Sequence, residues 1–123
     1  MPSAGILIIG NEILSGKVVD ENSPYFCREL RALGVEVERI LTIPDVIETI
    51  AGEVKAMSQA YDWVFTSGGI GPTHDDLTIA GIAGAFDCEV VEHPGVRAAI
   101  EKAVGDRPPS AYLKMAEDRK SVV

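Results

Sequence analysis

Short apolar runs alternate along this chain with segments of helical periodicity, and no other sequence feature restricts its fold as much. Ile6-Leu7-Ile8-Ile9 is unbroken and apolar, as a strand buried on both faces of a parallel sheet requires. Asn22-Ser23-Pro24 reads as a helix start, with capping the favoured role for Asn22; Phe26, Leu30 and Leu33 follow at helical spacing, and Gly34 supplies a left-handed stop. Val35 to Leu41 is a second strand in a more exposed position, because Glu36 and Glu38 alternate with Val35 and Val37. Ile47, Ile50, Val54 and Met57 form one stripe of a second helix after Pro44-Asp45. Trp63-Val64-Phe65 is a short buried strand, and a helix is expected from about Leu77 to Ala85. A fourth strand over Cys88 to Val91, a fourth helix marked by Val96, Ile100 and Val104, and a last helical stretch near Ala111 to Glu117 complete the pattern. Such alternation builds βαβ units with right-handed crossovers, hence an α/β fold with a mainly parallel sheet and helices on both faces.

Ligands of such sheets bind outside the carboxyl ends of the strands. Two loops fall there: Gly10 to Gly16 after the first strand, and Ser67 to Asp76 after the third. In the second, Gly68, Gly69 and Gly71 let the backbone turn tightly and bring bare N–H groups to a ligand, while the helix near Leu77 offers its free N–H groups to the same space. The expectation is a cradle for a phosphate-bearing small molecule, with Ser67, Thr73 and Thr78 adding hydroxyls. Three glycines also suit a plain strand-to-helix turn, but a turn alone does not call for Thr73, His74, Asp75, Asp76 and Thr78 packed beside it. The loop is not a dinucleotide fingerprint, since the third glycine is absent; nor is Gly10 to Val18 a P-loop, since it is one residue too long and Val18 stands in place of the metal-binding hydroxyl.

Charge sharpens the reading. With 19 acidic and 11 basic residues the net charge is −8, and no Lys/Arg run overrides it, so nucleic acid is rejected as the main partner. Asp75 and Asp76 would repel a bound phosphate unless a cation lay between; a hard divalent ion held by one or two carboxylates and phosphate oxygens resolves the conflict. One of the two could instead cap the helix. Asn11 and Glu12 leave the first strand at the ligand end, Asp45 ends the second, and Asp20 and Asn22 open the first helix; each is a candidate ligand contact with a capping alternative. His74 has an exposed-loop alternative, and His93 is given no role. One domain is expected from 123 residues, with no targeting segment and no apolar run near the roughly 18 residues of a membrane span. Cys27 and Cys88 lie far apart and read as buried thiols of a reducing, cytoplasmic compartment.

These residues carry a family resemblance. Gly10-Asn11-Glu12-Ile13-Leu14-Ser15-Gly16, Asp20-x-Asn22, Pro44-Asp45 and Ser67-Gly68-Gly69-Ile70-Gly71-Pro72-Thr73-His74-Asp75-Asp76-Leu77-Thr78 resemble the molybdopterin-binding domain superfamily, most closely the amino-terminal domain of competence-damage-inducible protein A and the related domain of FAD synthases. The resemblance implies a three-layer α/β/α fold that self-associates as a homo-oligomer, and a functional role for Asp45. It implies metal-dependent hydrolysis (Mg²⁺, Mn²⁺ or Co²⁺) of a pyrophosphate bond in nucleotides such as ADP-ribose or FAD, with Asp76, Asp75 and Asp45 as catalytic residues and Asp75 and Asp76 on the metal. More distant relatives bind and adenylylate molybdopterin; there an Arg stands where this chain has Asp75, which favours the metal-dependent reading. A non-catalytic pterin- or nucleotide-binding module is the remaining alternative. Family members continue beyond Val123, so a missing carboxyl-terminal segment is also expected.

Overall fold

A computed structural model describes residues 1–71, 76–88, 90–92, 94 and 117–119. Its centre is β1 (Ser3–Ile9), from which Ala4 onward is buried, as the unbroken apolar run requires. Parallel strands flank it on both sides: β2 (Glu36–Ile43) pairs Ile9 with Ile43, and β3 (Trp63–Ser67) pairs Ile8 with Ser67. Side chains alternate across this sheet, so each face collects its own core. Leu7, Ile9 and Ile43 pack with Ile50, Val54 and Met57 of α3 (Ile47–Ala60) and with Ile82 of α4 (Thr78–Ala85). Ala4, Ile6 and Ile8 pack on the other face with Leu30, Phe26 and Cys27 of α2 (Asn22–Ala32). The result is the α/β/α layering expected. A short antiparallel pair, β4 (Val90–Glu92) and β5 (Glu117–Arg119), lies outside the main sheet.

Several details depart from the sequence expectations. The segment after β1 contains one helical turn, α1 (Asn11–Leu14). Strand β2 is exposed along much of its length, as its glutamates imply, and carries a bulge at Glu38, where the register against β1 skips a residue. A bulge of this kind blunts an exposed sheet edge. Leu33, expected on the apolar stripe of α2, is 77% exposed: the helix ends there, and Gly34 turns the chain at φ 79°. Trp63, expected to be buried, is 57% exposed, although it stacks on Phe65 at 6.5 Å. Cys27 and Cys88 are half-buried free thiols. Glu117, expected to end a helix, begins β5, and strand β4 begins two residues later than Cys88. The helix expected at Val96 to Val104 and the His93 position lie outside the described residues. No helix among the described residues is long and apolar enough to cross a membrane.

The packing of α4 on α3 depends on Gly81. A Cβ placed there would lie 2.5 Å from Ile50 Cγ2, and Ile50 is fully buried with a β-branched side chain that cannot swing aside. At Gly84, three residues on in the same helix, a Cβ meets nothing within 4 Å. Gly81→Ala is therefore expected to destabilise the fold by about 1–3 kcal/mol through overpacking. Gly84→Ala is expected to stabilise it by up to about 1 kcal/mol through helix propensity. Thermal unfolding of the two variants checks this, and equal shifts in the same direction would contradict the packing account.

Candidate functional site

Because the three strands run parallel and end level with one another, their carboxyl-end loops converge. Gly10 N–H donates to Ile43 O at 3.0 Å, tying the exit of β1 to the exit of β2. A reciprocal pair completes the tie: Asn11 N–H donates to Asp45 Oδ2 and Asp45 N–H donates to Asn11 Oδ1, each at 3.1 Å. Asp45 is thus not the cap of α3; that position belongs to Val46, which makes no side-chain capping bond. Its carboxylate braces the two loops. Glu12, on the next turn, folds toward Gly10, where an added Cβ would lie 2.5 Å from Glu12 Oε1.

The glycine loop leaves β3 with Gly68 at φ 95° and Gly69 at φ 68°, both in the left-handed region that costs other residues roughly 1–2 kcal/mol each. Space is as restrictive as angle. A Cβ on Gly68 would collide with Ile9 O, and one on Gly69 with Thr78 Oγ1. Thr78, expected to offer its hydroxyl to phosphate, has another part. It is completely buried; its Oγ1–H donates to Gly68 O at 2.7 Å and its N–H to Gly69 O at 3.1 Å. With a single proton to donate, that hydroxyl is spent on holding the loop. Gly71 is set against Asp76, whose Oδ2 would be 2.8 Å from a Cβ at that glycine. The Asp76 carboxylate therefore sits directly beside the loop backbone.

A second set of bonds comes from α2. Asp20 Oδ1 accepts the N–H groups of Asn22 and Ser23, both at 3.1 Å, and its Oδ2 accepts the Ser23 hydroxyl. Asp20, not Asn22, satisfies the start of this helix. That leaves the Asn22 side chain to work elsewhere: its Nδ2–H donates to Ser67 Oγ at 2.7 Å. Since Ser67 accepts this bond, its own O–H proton stays available to donate in another direction.

Thr73, His74 and Asp75 lie outside the described residues, so the expected Asp75–Asp76 pairing is represented by Asp76 alone. Two clefts meet at Glu12. One, of about 240 Å³, runs between Val18, Val19, Asn22 and the Ser67–Gly68 backbone; the other, of about 440 Å³, is lined by Asn11, Glu12, Ser15, Lys17 and Asp45. A cavity of about 740 Å³ at the start of β2, beside Met1 and Arg31, is larger but lies at the opposite end of the sheet. It belongs to the exposed edge rather than to the convergent loops. Lys17, Val18 and Val19 are contributors that the sequence reading passed over; the signal was available, as two adjacent apolar residues in a polar loop.

Glu12, Asp20, Glu21 and Asp45 line the two clefts, against the single basic residue Lys17, among the described residues. No group of three or more His, Cys, Asp or Glu converges as a ready-made metal site among them. A hard divalent ion needs less from protein when phosphate oxygens and water supply the rest of its shell. A carboxylate beside a glycine-loop backbone, as Asp76 is, suits that donor set.

Residues 5–122 match the family model described as "Probable molybdopterin binding domain". The chain is 46% identical over 100 residues to a protein named "Probable FAD synthase" from Caenorhabditis elegans, covering 81% of this chain and 19% of that one. A crystal structure of the protein CinA from Thermoplasma acidophilum superposes with a TM-score of 0.89 at 29% identity, over 96% of this chain and 70% of that one. The tungsten cofactor synthesizing protein MoaB from Pyrococcus furiosus superposes with a TM-score of 0.66 at 26% identity, over 86% and 66%. This chain spans about a fifth of the length of the C. elegans relative. The family match spans nearly the whole chain, and the chain belongs to the molybdopterin-binding domain family.

Proposed function

We propose that this domain binds a nucleotide diphosphate and hydrolyses its pyrophosphate bond with the help of a divalent cation, the substrates being of the ADP-ribose or FAD type. One observation carries this reading: a loop of left-handed glycines, locked from beneath by Thr78, with the Asp76 carboxylate against its backbone. Gly68, Gly69 and Gly71 would bring N–H groups to the phosphoryl oxygens, and the Ser67 hydroxyl, oriented by Asn22, would add a side-chain donor. Asp76, with Asp75, would hold Mg²⁺, Mn²⁺ or Co²⁺, which when bound offsets phosphoryl charge and lowers the pKa of a bound water. The Asp45 carboxylate, fixed by Asn11, would keep the facing loop at the right distance. Such a reaction draws its rate from positioning and charge stabilisation, which a rigid backbone cradle supplies.

A second reading has its own support. Family membership and the likeness to a MoaB protein favour pterin binding at the same loop, either for adenylyl transfer in cofactor synthesis or as a non-catalytic module. Transfer would consume ATP only with molybdopterin present, and a module would bind without turnover. Homo-oligomerisation and a cytoplasmic setting complete the proposal.

The test is AMP release from ADP-ribose and FAD by the purified chain, with and without Mg²⁺, Mn²⁺ or Co²⁺. Turnover is expected only with metal, and Asp76→Asn, which keeps the side-chain shape, is expected to lower kcat by about 10²–10³-fold. No turnover from a folded chain would remove the hydrolase reading and leave pterin or nucleotide binding in front. Thr78→Val separates the loop lock from the chemistry. It leaves Gly68 O without its buried donor, so stability is expected to fall by about 1–3 kcal/mol. Turnover is expected to drop with it while the metal requirement stays unchanged, a combination read by thermal unfolding and metal titration together.

A further inference from the structure

We propose that Val18 and Val19 form the wall on which a heteroaromatic ring of the ligand rests, next to the phosphate loop. Among the described residues, nothing in the fold calls for exposing these side chains. Val18 is 50% exposed and Val19 79% exposed, and neither belongs to a core cluster. They are not presented by a loose loop either: Val18 N–H donates to Glu12 O at 3.1 Å, Gly16 N–H to Ile13 O at 3.2 Å, and Ser15 N–H to Asn11 O at 2.9 Å. Pinned backbone and β-branched side chains make a stiff platform.

The occupant follows from what shares the cleft. Val18 and Val19 line the same space of about 240 Å³ as Ser67, Gly68 and Asn22, so aliphatic side chains share it with a hydroxyl donor and loop backbone, and with the Glu12, Asp20 and Glu21 carboxylates that a cation must offset. A ligand matching both ends is amphiphilic: a flat apolar-faced ring joined at short range to a phosphate. Isolated exposed valines need no explanation, but this pair lines a cleft that combines apolar side chains with a few hydrogen-bonding groups, the mix found in ligand sites. The volume is smaller than the roughly 300–1,000 Å³ of sites that enclose a whole drug-sized ligand, so the cleft takes one arm of a larger molecule. The other arm has the neighbouring polar cleft at Asn11, Ser15, Lys17 and Asp45, which suits a hydroxyl-rich group. This assignment rests on the phosphate-loop reading of the site but not on hydrolysis.

The experiment measures equilibrium binding of AMP, FMN and inorganic pyrophosphate, in Mg²⁺, to the unsubstituted chain and to Val18→Ser/Val19→Ser. Both side chains are exposed, so the fold is expected to survive, and thermal unfolding checks it. Leu14→Ser is the control: Leu14 is 54% exposed on the preceding turn and does not line the cleft. AMP and FMN are expected to bind about tenfold or more weakly to the double variant, the scale of lost apolar contacts in a pocket, while pyrophosphate affinity and the Leu14 variant stay unchanged. A parallel loss for all three ligands, no loss for any, or no binding of AMP and FMN by the unsubstituted chain would overturn the proposal. So would a fall in oligomeric mass of the double variant by analytical ultracentrifugation, which would make the valines an interface between copies. AMP release from ADP-ribose, assayed separately, tells failure of the hydrolase reading apart from failure of this one.

Discussion

The structure depends on one strand being buried on both faces. Ala4 to Ile9 of β1 have almost no exposure, so each face must be covered by helices and each edge by a parallel neighbour. Parallel neighbours need crossovers, and crossovers return every strand in the same direction. The consequence at the far end is geometric. Ile9 meets Ile43 and Ile8 meets Ser67, so the chain leaves all three strands at one level. The Gly10 turn, the Pro44-Asp45 turn and the Gly68-Gly69 turn are therefore neighbours without any of them having been selected for contact. The backbone groups there are tied by Gly10 N–H to Ile43 O and by Thr78 to Gly68 O and Gly69 O, so the convergent turns hold one another in place.

What the convergent loops add is rigidity from polar side chains aimed inward. Thr78 locks the glycine loop, Asp20 satisfies the start of α2, Asn22 reaches across to Ser67, and Asn11 and Asp45 clasp each other. Each bond is worth on the order of 1 kcal/mol net. Together they fix loops that would otherwise be mobile, which lowers the ordering cost at the moment of binding. A residue can matter at this site without touching ligand. Thr78 and Asp20 are of that kind, and both are conspicuous in sequence for the same reason a ligand contact would be: a polar residue of defined shape at a strand-to-helix junction.

That ambiguity marks the limit of legibility. The α/β/α layering and the exposed position of β2 could be read from residue periodicity, because burial on two faces, or exposure of alternate residues, writes itself directly into hydrophobic pattern. The glycine loop was legible because left-handed backbone leaves few alternatives. Roles within the loops were less so. Asn22 and Asp20 both suit a helix start, and only the placement of β3 beside β1 brings Ser67 within reach of Asn22, while Asp20 accepts the first N–H groups of the helix. Thr78 looked like a phosphate donor because its burial, and the nearness of Gly68 O, arise from tertiary packing that no local spacing encodes. Leu33 and Trp63 failed in the opposite sense: their helical and strand patterns were real, but each sits where its element ends or where described neighbours do not cover it.

Electrostatics ties these strands of argument together. Among the described residues, acidic side chains outnumber the single Lys17 around the two clefts, and the whole chain carries a charge of −8. A carboxylate and a phosphoryl group 4 Å apart repel by about 4 kcal/mol at the effective dielectric of a protein surface, enough to weaken binding by about three orders of magnitude. Backbone N–H groups of the glycine loop carry only partial charge, and cannot offset several carboxylates by themselves. On the proposed reading, a cation accompanying the anion would remove this repulsion. The same acidity, at the loop beside Asp76, is thus the strongest physical support for the proposed metal.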